Sequence, residues 1–327
     1  MKKTTLVFTL CLLCTMLAMV AIPAQATTDY SNYPNIPVTA VVAWAPGGGN
    51  DLLTRAMTSQ FHDLTGQALI VSNLEGGASV AGVTEYMGYN DNGYNILSWA
   101  TSQTIKTQMQ VTPYSIDDFK TVCGFTLDSP YILVRADSPF QTLNDLVDYA
   151  KANPGKLTVG NAGTGGGNHL AALQFCIAAD IEVNHIAFEG GAASSQSVLA
   201  GEIDCSMNGA PEGTVLIESG DLRVLTVLSA ERSPFYPDIP TAMECGYDVL
   251  NRQARGFVVH KSTPDEVVAK LEEIFRQVAE TDSFKENIMA LTYNVQFSDA
   301  AGYAEMLTAE NELYRDIIQQ NSLGDRY

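Results

Sequence analysis

The sequence of 327 residues predicts an α/β protein, because short apolar strands alternate with amphipathic helices and glycine-rich loops. Residues 38–45 form a β-branched apolar run that ends at a Pro-Gly-Gly-Gly turn. Residues 51–64 then carry apolar side chains at helical spacing. Apolar residues make up 46% of the chain and charged residues 17%, which is the balance of a folded protein with a large core.

Further strands and helices continue this alternation along the chain. Strands are predicted at residues 69–72, 94–99, 131–134 and 157–160. Helices are predicted at 142–152, which has a Thr-x-x-Asp start, and at 169–179. Another helix is expected where Thr263 would cap, Pro264 would occupy the first turn and Glu266 would reach back to the cap.

The net charge is strongly negative. The chain has 18 Lys and Arg against 37 Asp and Glu, a formal charge of -19. This excess of acids argues against a nucleic-acid-binding protein, because no basic surface is available to neutralise a run of phosphates. It also argues against a protein that binds membrane surfaces through basic residues.

The N-terminal residues 1–26 have the pattern of a secretory signal. Two lysines precede an apolar stretch at residues 6–22, and Ala24-Gln25-Ala26 is a small-x-small site with cleavage expected after Ala26. The apolar stretch is shorter than the ~20 residues that a membrane-spanning helix needs. The sequence therefore predicts an exported protein.

Four cysteines remain after cleavage at that site: Cys123, Cys176, Cys205 and Cys245. Their wide spacing, without a Cys-x-x-Cys motif, argues against a zinc site and against a redox dithiol. Four cysteines allow three pairings, and the sequence does not choose among them. One disulfide and four buried free thiols both remain open.

Two glycine-rich segments have similar sequences. Residues 47–52 read Gly-Gly-Gly-Asn-Asp-Leu and residues 165–170 read Gly-Gly-Gly-Asn-His-Leu, each after a predicted strand and before a predicted helix. The similarity is either a coincidence of glycine-rich composition or the sign of two similar α/β halves. A helix start exposes unpaired N–H groups, and glycines let a ligand approach them closely. Two such loops facing across a cleft would hold both ends of a small anion.

Known catalytic and cofactor motifs are absent from the sequence. Neither glycine loop continues into Gly-Lys-Ser/Thr, and Asn168 stands where a dinucleotide fingerprint requires its third glycine. There is no Gly-x-Ser-x-Gly elbow and no His-Glu-x-x-His pair. We therefore predict no catalytic residue, no cofactor and no metal site.

Four side chains near these loops have two interpretations each. Trp44 either flanks a cleft or packs in the core, and Asp51 either favours the helix start or orients the glycine loop. His169 is either a ligand donor or a local packing residue. Glu212 either accepts a hydrogen bond from an amine or hydroxyl of a ligand, or is a solvated loop acid.

These motifs together resemble the periplasmic receptors of tripartite tricarboxylate transporters, the Bug family. The resemblance rests on the order of several segments: Trp-Ala-Pro-Gly-Gly-Gly-Asn-Asp at 44–51, Tyr-Ala-Lys-Ala-Asn-Pro-Gly-Lys-Leu at 149–157, the second glycine loop at 163–170, Phe-Glu-Gly-Gly-Ala at 188–192 and Pro-Asp-Ile-Pro-Thr at 237–241. Each segment alone is weak, but their spacing covers nearly the whole chain after residue 26.

The resemblance implies a two-domain α/β periplasmic binding protein of the flytrap type, in which each domain is a mixed sheet flanked by helices. The first domain would be 27–128 with 255–327, and the second would be 129–254. The expected ligand is a small carboxylated molecule, and the expected partners are the small and large membrane subunits of a tripartite transporter. The chain is expected to act as a monomer in the periplasm.

The ligand-binding residues that the resemblance implies lie in the two glycine loops and in the segment at 188–192: Trp44, Ala45, Pro46, Gly47, Gly48, Gly49, Asn50, Asp51, Asn161, Gly163, Thr164, Gly165, Gly166, Gly167, His169, Phe188, Gly190, Gly191 and Ala192. Two residues at the segment 208–212 complete the predicted site: Asn208 and Glu212.

Two departures from the family pattern affect the choice of ligand. Leu74-Glu75 stands where the family commonly has a pair such as Arg-Pro, and Glu189 stands where it commonly has a lysine. Both changes remove positive charge near the expected cleft, which leaves a monocarboxylate, a dicarboxylate or an amino acid as alternatives to a tricarboxylate. Two other functions stay open: a ligand-sensing partner of a membrane sensor kinase, and a secreted enzyme on the same fold.

Overall fold

The computed structural model describes residues 30–324. The predicted signal segment 1–26, with its cleavage site after Ala26, lies outside the described residues. Within the described range, no helix combines the length and the apolar character that crossing a bilayer requires.

The first sheet has six strands: β1 (Val38–Val42), β2 (Leu69–Asn73), β3 (Asn95–Ala100), β4 (Phe119–Asp128), β10 (Gln253–His260) and β11 (Val295–Ser298). Their order across the sheet is β11-β4-β10-β3-β1-β2. The three strands at one edge pair in parallel, and β10 pairs antiparallel with both β3 and β4. The sheet is therefore mixed, as the resemblance implied.

The second sheet has five strands: β5 (Tyr131–Arg135), β6 (Thr158–Asn161), β7 (Asn184–Ala187), β8 (Cys205–Asn208) and β9 (Leu222–Val227). Their order is β7-β6-β8-β5-β9, with β6 parallel to both neighbours and β5 antiparallel to both of its own. We call the two sheets with their helices the first and second lobe.

Helices cover both sheets. The first lobe holds α1 (Gly49–Ala56), α2 (Thr58–Thr65), α3 (Val80–Tyr86), α4 (Thr101–Met109), α9 (Asp265–Glu280), α10 (Asp282–Ala290) and α11 (Ala300–Gln320). The second lobe holds α5 (Leu143–Ala152), α6 (Gly167–Ala179), α7 (Gly191–Ala200) and α8 (Thr214–Glu218). Short 3-10 turns at Ile116–Asp118 and Ala210–Glu212 complete the regular structure of the described residues.

The chain passes from the first sheet to the second between residues 128 and 131, and it returns between 227 and 253. The second lobe is thus an insertion within the first. The predicted domain boundaries, 27–128 with 255–327 and 129–254, stay a prediction, because sheet membership alone does not fix where one body ends and the other begins.

Each lobe has its own apolar core. The first lobe buries an aromatic cluster in which Trp99 packs against Tyr114 and Phe119. The second lobe buries aliphatic residues of β5, β6 and β8 under α5 and α6. A smaller cluster joins the lobes, since Leu170 of α6 packs with Ile105 of α4 and with residues of α11.

The predicted helix at 142–152 is confirmed in detail. Helix α5 starts at a capping box, in which the Thr142 hydroxyl accepts the Asp145 N–H at 3.2 Å and the Asp145 carboxylate accepts the Thr142 N–H at 2.8 Å. This reciprocal arrangement satisfies two N–H groups that the first turn would otherwise leave unpaired.

Two local predictions are wrong. The single helix expected at 51–64 is two helices, because Met57 adopts φ -108° and ψ -2° with its side chain fully buried. Helix α9 begins at Asp265 with Pro264 as its N-cap and without a side-chain cap, and the buried hydroxyl of Thr263 has no hydrogen-bond partner among the described residues, although the Thr263 backbone is held. Its N–H donates to His260 at 3.0 Å and its carbonyl accepts Lys120 Nζ at 2.8 Å. Neither difference can be recognised from the spacing of the apolar residues in the sequence.

The cysteine question is resolved by the structure. Cys123, Cys176, Cys205 and Cys245 are all free thiols, two of them buried and two partly buried. Burial raises the pKa of Cys176 to about 12. That thiol therefore remains protonated and behaves as a packing residue.

Candidate functional site

A cavity of about 30 Å³ lies between the two lobes, and residues of both lobes line it. Its walls are Trp44, Gly48, Gly49, Asn50, Ala100, Ser102, Ala162, Asn168, Gly190, Gly191, Glu212, Gln253 and Arg255. This volume holds about one or two water molecules.

Four helices begin at the cavity. The wall contains the N-cap or first-turn residues of α1, α4, α6 and α7 (Gly48 and Gly49, Ala100 and Ser102, Asn168, Gly190 and Gly191). Each helix start carries unpaired N–H groups and a positive partial charge of about half an elementary charge. Their convergence makes the cavity favourable for an anion.

The first glycine loop is held in shape by Asp51. Its carboxylate accepts the Gly47 N–H at 2.9 Å, the Arg55 Nε at 2.9 Å and the Asn73 Nδ2 at 3.0 Å. Burial alone would raise the pKa of Asp51, but these hydrogen bonds lower it below the usual range. Asp51 is 2% exposed and lies behind the loop rather than in the cavity wall. Its place in the structure fits loop orientation.

The second glycine loop is held by His169 and by Lys106 of the first lobe. His169 Nδ1 accepts the Gly165 N–H at 3.0 Å, so the proton of the neutral ring lies on Nε2. Burial lowers the pKa of His169 to about 4, with smaller contributions from His185 and Lys106. Lys106 Nζ donates to the Thr164 carbonyl at 2.8 Å. The loop is thus packed against the first lobe.

Arg255 is the cation of the cavity wall. Its side chain is almost fully buried, and its Nη1 has no hydrogen-bond partner among the described residues. The nearest carboxylate is Asp128, whose Oδ2 lies 3.7 Å from Nη1, and the guanidinium lies 5.1 Å from the centre of the Tyr293 ring. Burial raises the pKa of Asp128 to about 6. Nη1 thus faces Asp128, whereas Nη2 lies 3.3 Å from the Cβ position of the wall residue Gly49. A guanidinium in this position is a strong binding group for a carboxylate.

Amide side chains add further polar groups around Arg255. Asn50 lines the cavity, and its Nδ2 has no hydrogen-bond partner in the described part of the chain. Gln253 Nε2 donates to Asn168 Oδ1 at 2.8 Å, which links the two lobes. Asn161 is buried at the end of β6, where neither amide atom has a partner within residues 30–324. Buried amides without partners are costly, so they favour a polar ligand or bridging water.

Glu212 brings a carboxylate to the same wall. Its Oε2 accepts the Gly209 N–H at 2.8 Å, and its Oε1 accepts the Gly49 N–H of the first lobe at 3.2 Å. Of the two interpretations from the sequence, these hydrogen bonds favour the hydrogen-bonding one. Glu212 is a half-buried residue that contacts both lobes.

The structure places seven of the predicted residues in the cavity wall: Trp44, Gly48, Gly49, Asn50, Gly190, Gly191 and Glu212. The rest lie outside the wall. Ala45 faces Gly190 across the cleft, with Ala45 Cβ 3.8 Å from the Cβ position of Gly190. Gly47 faces Ala192 in the same way, with Ala192 Cβ 4.0 Å from the Cβ position of Gly47. The other predicted residues that do not line the cavity are Pro46, Asp51, Asn161, Gly163, Thr164, Gly165, Gly166, Gly167, His169, Phe188 and Asn208.

Sequence reasoning missed six wall residues: Ala100, Ser102, Ala162, Asn168, Gln253 and Arg255. Gln253 and Arg255 carried a detectable signal. They alternate in β10, whose eight residues are all buried, and a charged side chain in such a strand requires a functional or structural partner. Ser102 carried none, because its role depends on where α4 meets the second lobe. Its hydroxyl accepts the Gly167 N–H at 3.0 Å.

No metal site is apparent in the structure from residue 30 to residue 324. No group of three or more His, Cys, Asp and Glu side chains there is placed to hold a metal ion. The cavity is instead built from backbone N–H groups, amides, one guanidinium and one carboxylate. This is the chemistry of binding a small polar molecule.

Comparison with known proteins gives consistent results. The model of the family described as tripartite tricarboxylate transporter family receptor matches residues 53–323. A protein of Cupriavidus necator, named for its place in the gbd 5' region, is 26% identical over 288 residues, covering 88% of each chain. The fold is similar to that of the periplasmic binding protein BugD, with a TM-score of 0.85, 24% identity and coverage of 89% and 99%.

A further solved structure has a bound ligand. MatC from Rhodopseudomonas palustris, solved with malate, superposes with a TM-score of 0.83 at 21% identity, covering 88% of the present chain and 100% of MatC. At this identity the likeness establishes a common two-domain α/β fold.

Proposed function

Because this chain belongs to the receptor family of tripartite tricarboxylate transporters, we propose that it binds a small carboxylate in the cavity between its lobes and delivers it to a transporter. The family and the fold are those of solute-binding receptors. Action in the periplasm, as a monomer without catalysis, is part of the same proposal. So is delivery to a small and a large membrane subunit.

Arg255 is the observation that carries this proposal. Its guanidinium is buried in the cavity wall among the starts of four helices, with Nη1 beside Asp128 and Nη2 3.3 Å from the Cβ position of the wall residue Gly49. Asp128 balances the charge of Arg255 at 3.7 Å without a hydrogen bond, and a ligand carboxylate beside Nη2 would add a charge-assisted hydrogen-bond acceptor. The helix starts add a positive potential at the same place. The malate bound to the structurally similar MatC supports a small carboxylate as the class of ligand.

Both lobes contribute to the wall, which is what ligand-driven closure requires. Arg255 and Asn50 belong to the first lobe, whereas Gly191 and Glu212 belong to the second. A ligand shifts the balance between open and closed forms only if it binds one form more tightly. Contacts from both lobes exist together only in the closed form, so they provide this difference.

Calorimetric titration tests the proposal. The processed protein is unfolded and refolded to remove bound solute, and it is then titrated with aromatic and aliphatic monocarboxylates, dicarboxylates, citrate-like acids and amino acids. We expect micromolar or tighter binding of at least one class, which corresponds to about -8 kcal/mol. Absence of binding across the whole panel, with a protein shown to be folded, would contradict the proposal.

A further inference from the structure

Opposite charges lie close together in the cavity wall. Among the described residues that form the wall, Arg255 is the one cation and Glu212 is the one anion. Both flank Gly49. The Glu212 carboxylate accepts the Gly49 N–H at 3.2 Å, and a Cβ atom added at Gly49 would lie 3.3 Å from Arg255 Nη2. The Arg255 guanidinium and the Glu212 carboxylate therefore both lie next to Gly49.

Arg255 and Glu212 are close but are not bonded to each other. Glu212 uses one hydrogen bond on each oxygen, to Gly209 and to Gly49, while the carboxylate within ion-pair distance of Arg255 is that of Asp128. An ionised carboxylate has room for about four hydrogen bonds. Glu212 therefore keeps acceptor capacity, and Arg255 directs Nη2 toward the same side of the wall, 3.3 Å from the Cβ position of Gly49.

A ligand that carries only negative charge fits this wall poorly. Its carboxylate would be attracted by Arg255 and by the helix starts, but it would also lie near the Glu212 carboxylate and be repelled by it. A ligand with a positive group beside its carboxylate changes the second interaction from repulsion to attraction. An α-amino acid has this arrangement, because its carboxylate and ammonium are attached to one carbon.

We infer that the ligand is an amino acid whose carboxylate binds near Arg255 and whose ammonium donates to Glu212. The inference rests on the proposed function and narrows its ligand class. The charge of the wall also supports the inference. The formal charges of Arg255 and Glu212 cancel, as do the charges of the carboxylate and the ammonium of an amino acid. Glu212 then determines specificity, because it distinguishes an amino acid from the hydroxy acid or simple acid of the same skeleton.

Matched ligand sets test this inference. Each set shares a carbon skeleton and differs only at the α position: alanine, lactate and propionate; aspartate, malate and succinate; glutamate, 2-hydroxyglutarate and glutarate; phenylalanine, phenyllactate and phenylpropionate. In the set that binds, we expect the wild-type protein to bind the amino acid at least about tenfold more tightly than its hydroxy or unsubstituted analogue.

Two variants assign the preference to Glu212. Glu212→Gln keeps the shape of the side chain and removes its charge, so the preference for the amino acid should fall at least about tenfold. Glu182→Gln removes the same charge from an exposed position of the second lobe that is not in the cavity wall, and it should leave the preference unchanged. Thermal unfolding of both variants shows that they are folded.

The outcomes separate the inference from the proposed function. Binding of the hydroxy or unsubstituted acid at least as tightly as the amino acid would overturn the inference and leave the receptor proposal standing. An amino-acid preference that survives in Glu212→Gln would also overturn the role of Glu212. Absence of binding by every member of every set, from folded protein, would overturn both.

Discussion

Asp51 and His169 occupy matching positions in the two glycine loops, and each accepts the backbone N–H of the glycine four residues before it. The distances are 2.9 Å from Gly47 to Asp51 Oδ2 and 3.0 Å from Gly165 to His169 Nδ1. The two glycines have nearly the same left-handed φ, +80° and +74°. The sequence similarity of the loops therefore reflects a shared local structure, in which the Asp51 carboxylate and the neutral His169 imidazole accept the equivalent hydrogen bond.

The imidazole makes one loop sensitive to acid. The pKa of His169 is lowered to about 4, chiefly by burial, whereas the unfolded value is 6.5. The unfolded chain therefore binds the proton first, and the free energy of unfolding falls as the pH drops from 6.5 to about 4. We expect His169→Asn, which keeps an acceptor, to remove roughly 2 kcal/mol of this loss.

Urea unfolding at several pH values measures this effect as the difference between variant and wild type. His62→Asn is the control, because His62 is exposed. Equal pH dependence in His169→Asn and wild type would show that His169 is not the group responsible.

Glu310 should have the opposite pH dependence. It is buried in α11, where it accepts the Thr101 hydroxyl at 2.7 and 2.8 Å, and burial raises its pKa from 4.5 to about 7. The folded protein binds this proton more tightly, so the free energy of unfolding falls as the pH rises from 4.5 to about 7. Glu310→Gln should reduce this loss by up to about 3 kcal/mol.

The same unfolding experiment includes Glu305→Gln as its control, since Glu305 lies on the same helix and is exposed. A Glu310→Gln curve that is parallel to wild type between pH 4.5 and 7 would contradict the prediction.

Arg255→Gln should weaken carboxylate binding at least about 100-fold, because it removes the charged donor from the wall. It should also destabilise the fold, since Asp128 then stays buried without its cation, 3.7 Å away in the wild type. The double variant Arg255→Gln with Asp128→Asn removes that unpaired charge. We expect it to recover stability but not binding, as judged by thermal unfolding and calorimetry.

Recovery of binding in the double variant would show that Arg255 acts only by balancing Asp128. Arg315→Gln is the matched control, because Arg315 is exposed and pairs with Asp316 on the surface. It should leave both stability and binding unchanged.

Gly49→Ala should impair both binding and folding. An added Cβ at Gly49 would lie 2.4 Å from Tyr293 Oη and 3.3 Å from Arg255 Nη2, so two buried side chains would have to move. Overpacking of this kind costs about 1–3 kcal/mol. Gly88→Ala is the control, because its nearest contact is an ordinary 3.4 Å. Wild-type affinity in folded Gly49→Ala would show that the wall near Gly49 does not contact the ligand.

Local features were predictable because they depend on neighbouring residues alone. The strand before Pro46 and the capping box at Thr142 follow from backbone propensity and side-chain reach within a few residues. The loop starts of α1 and α6 follow in the same way from their glycines. The break at Met57 was missed because helical periodicity averages over turns and is insensitive to one residue.

The site itself was only partly predictable because it is assembled from distant segments. Arg255 reaches the wall from a strand that begins 41 residues after Glu212. The second glycine loop was expected to face the ligand. In the structure it also forms hydrogen bonds with Lys106 and Ser102 of the first lobe, which the sequence did not predict. Such placement is fixed by how the lobes meet, which no local pattern encodes.

The insertion of one lobe within the other has a consequence for biosynthesis. Strand β4 lies between β10 and β11, so both of its neighbours are made only after the whole second lobe has been translated. Until then its ten residues have no strand to pair with, and an unpaired strand is prone to aggregate. The strands of the second lobe, by contrast, follow one another along the chain. This lobe can therefore fold before the last strands of the first lobe have been translated.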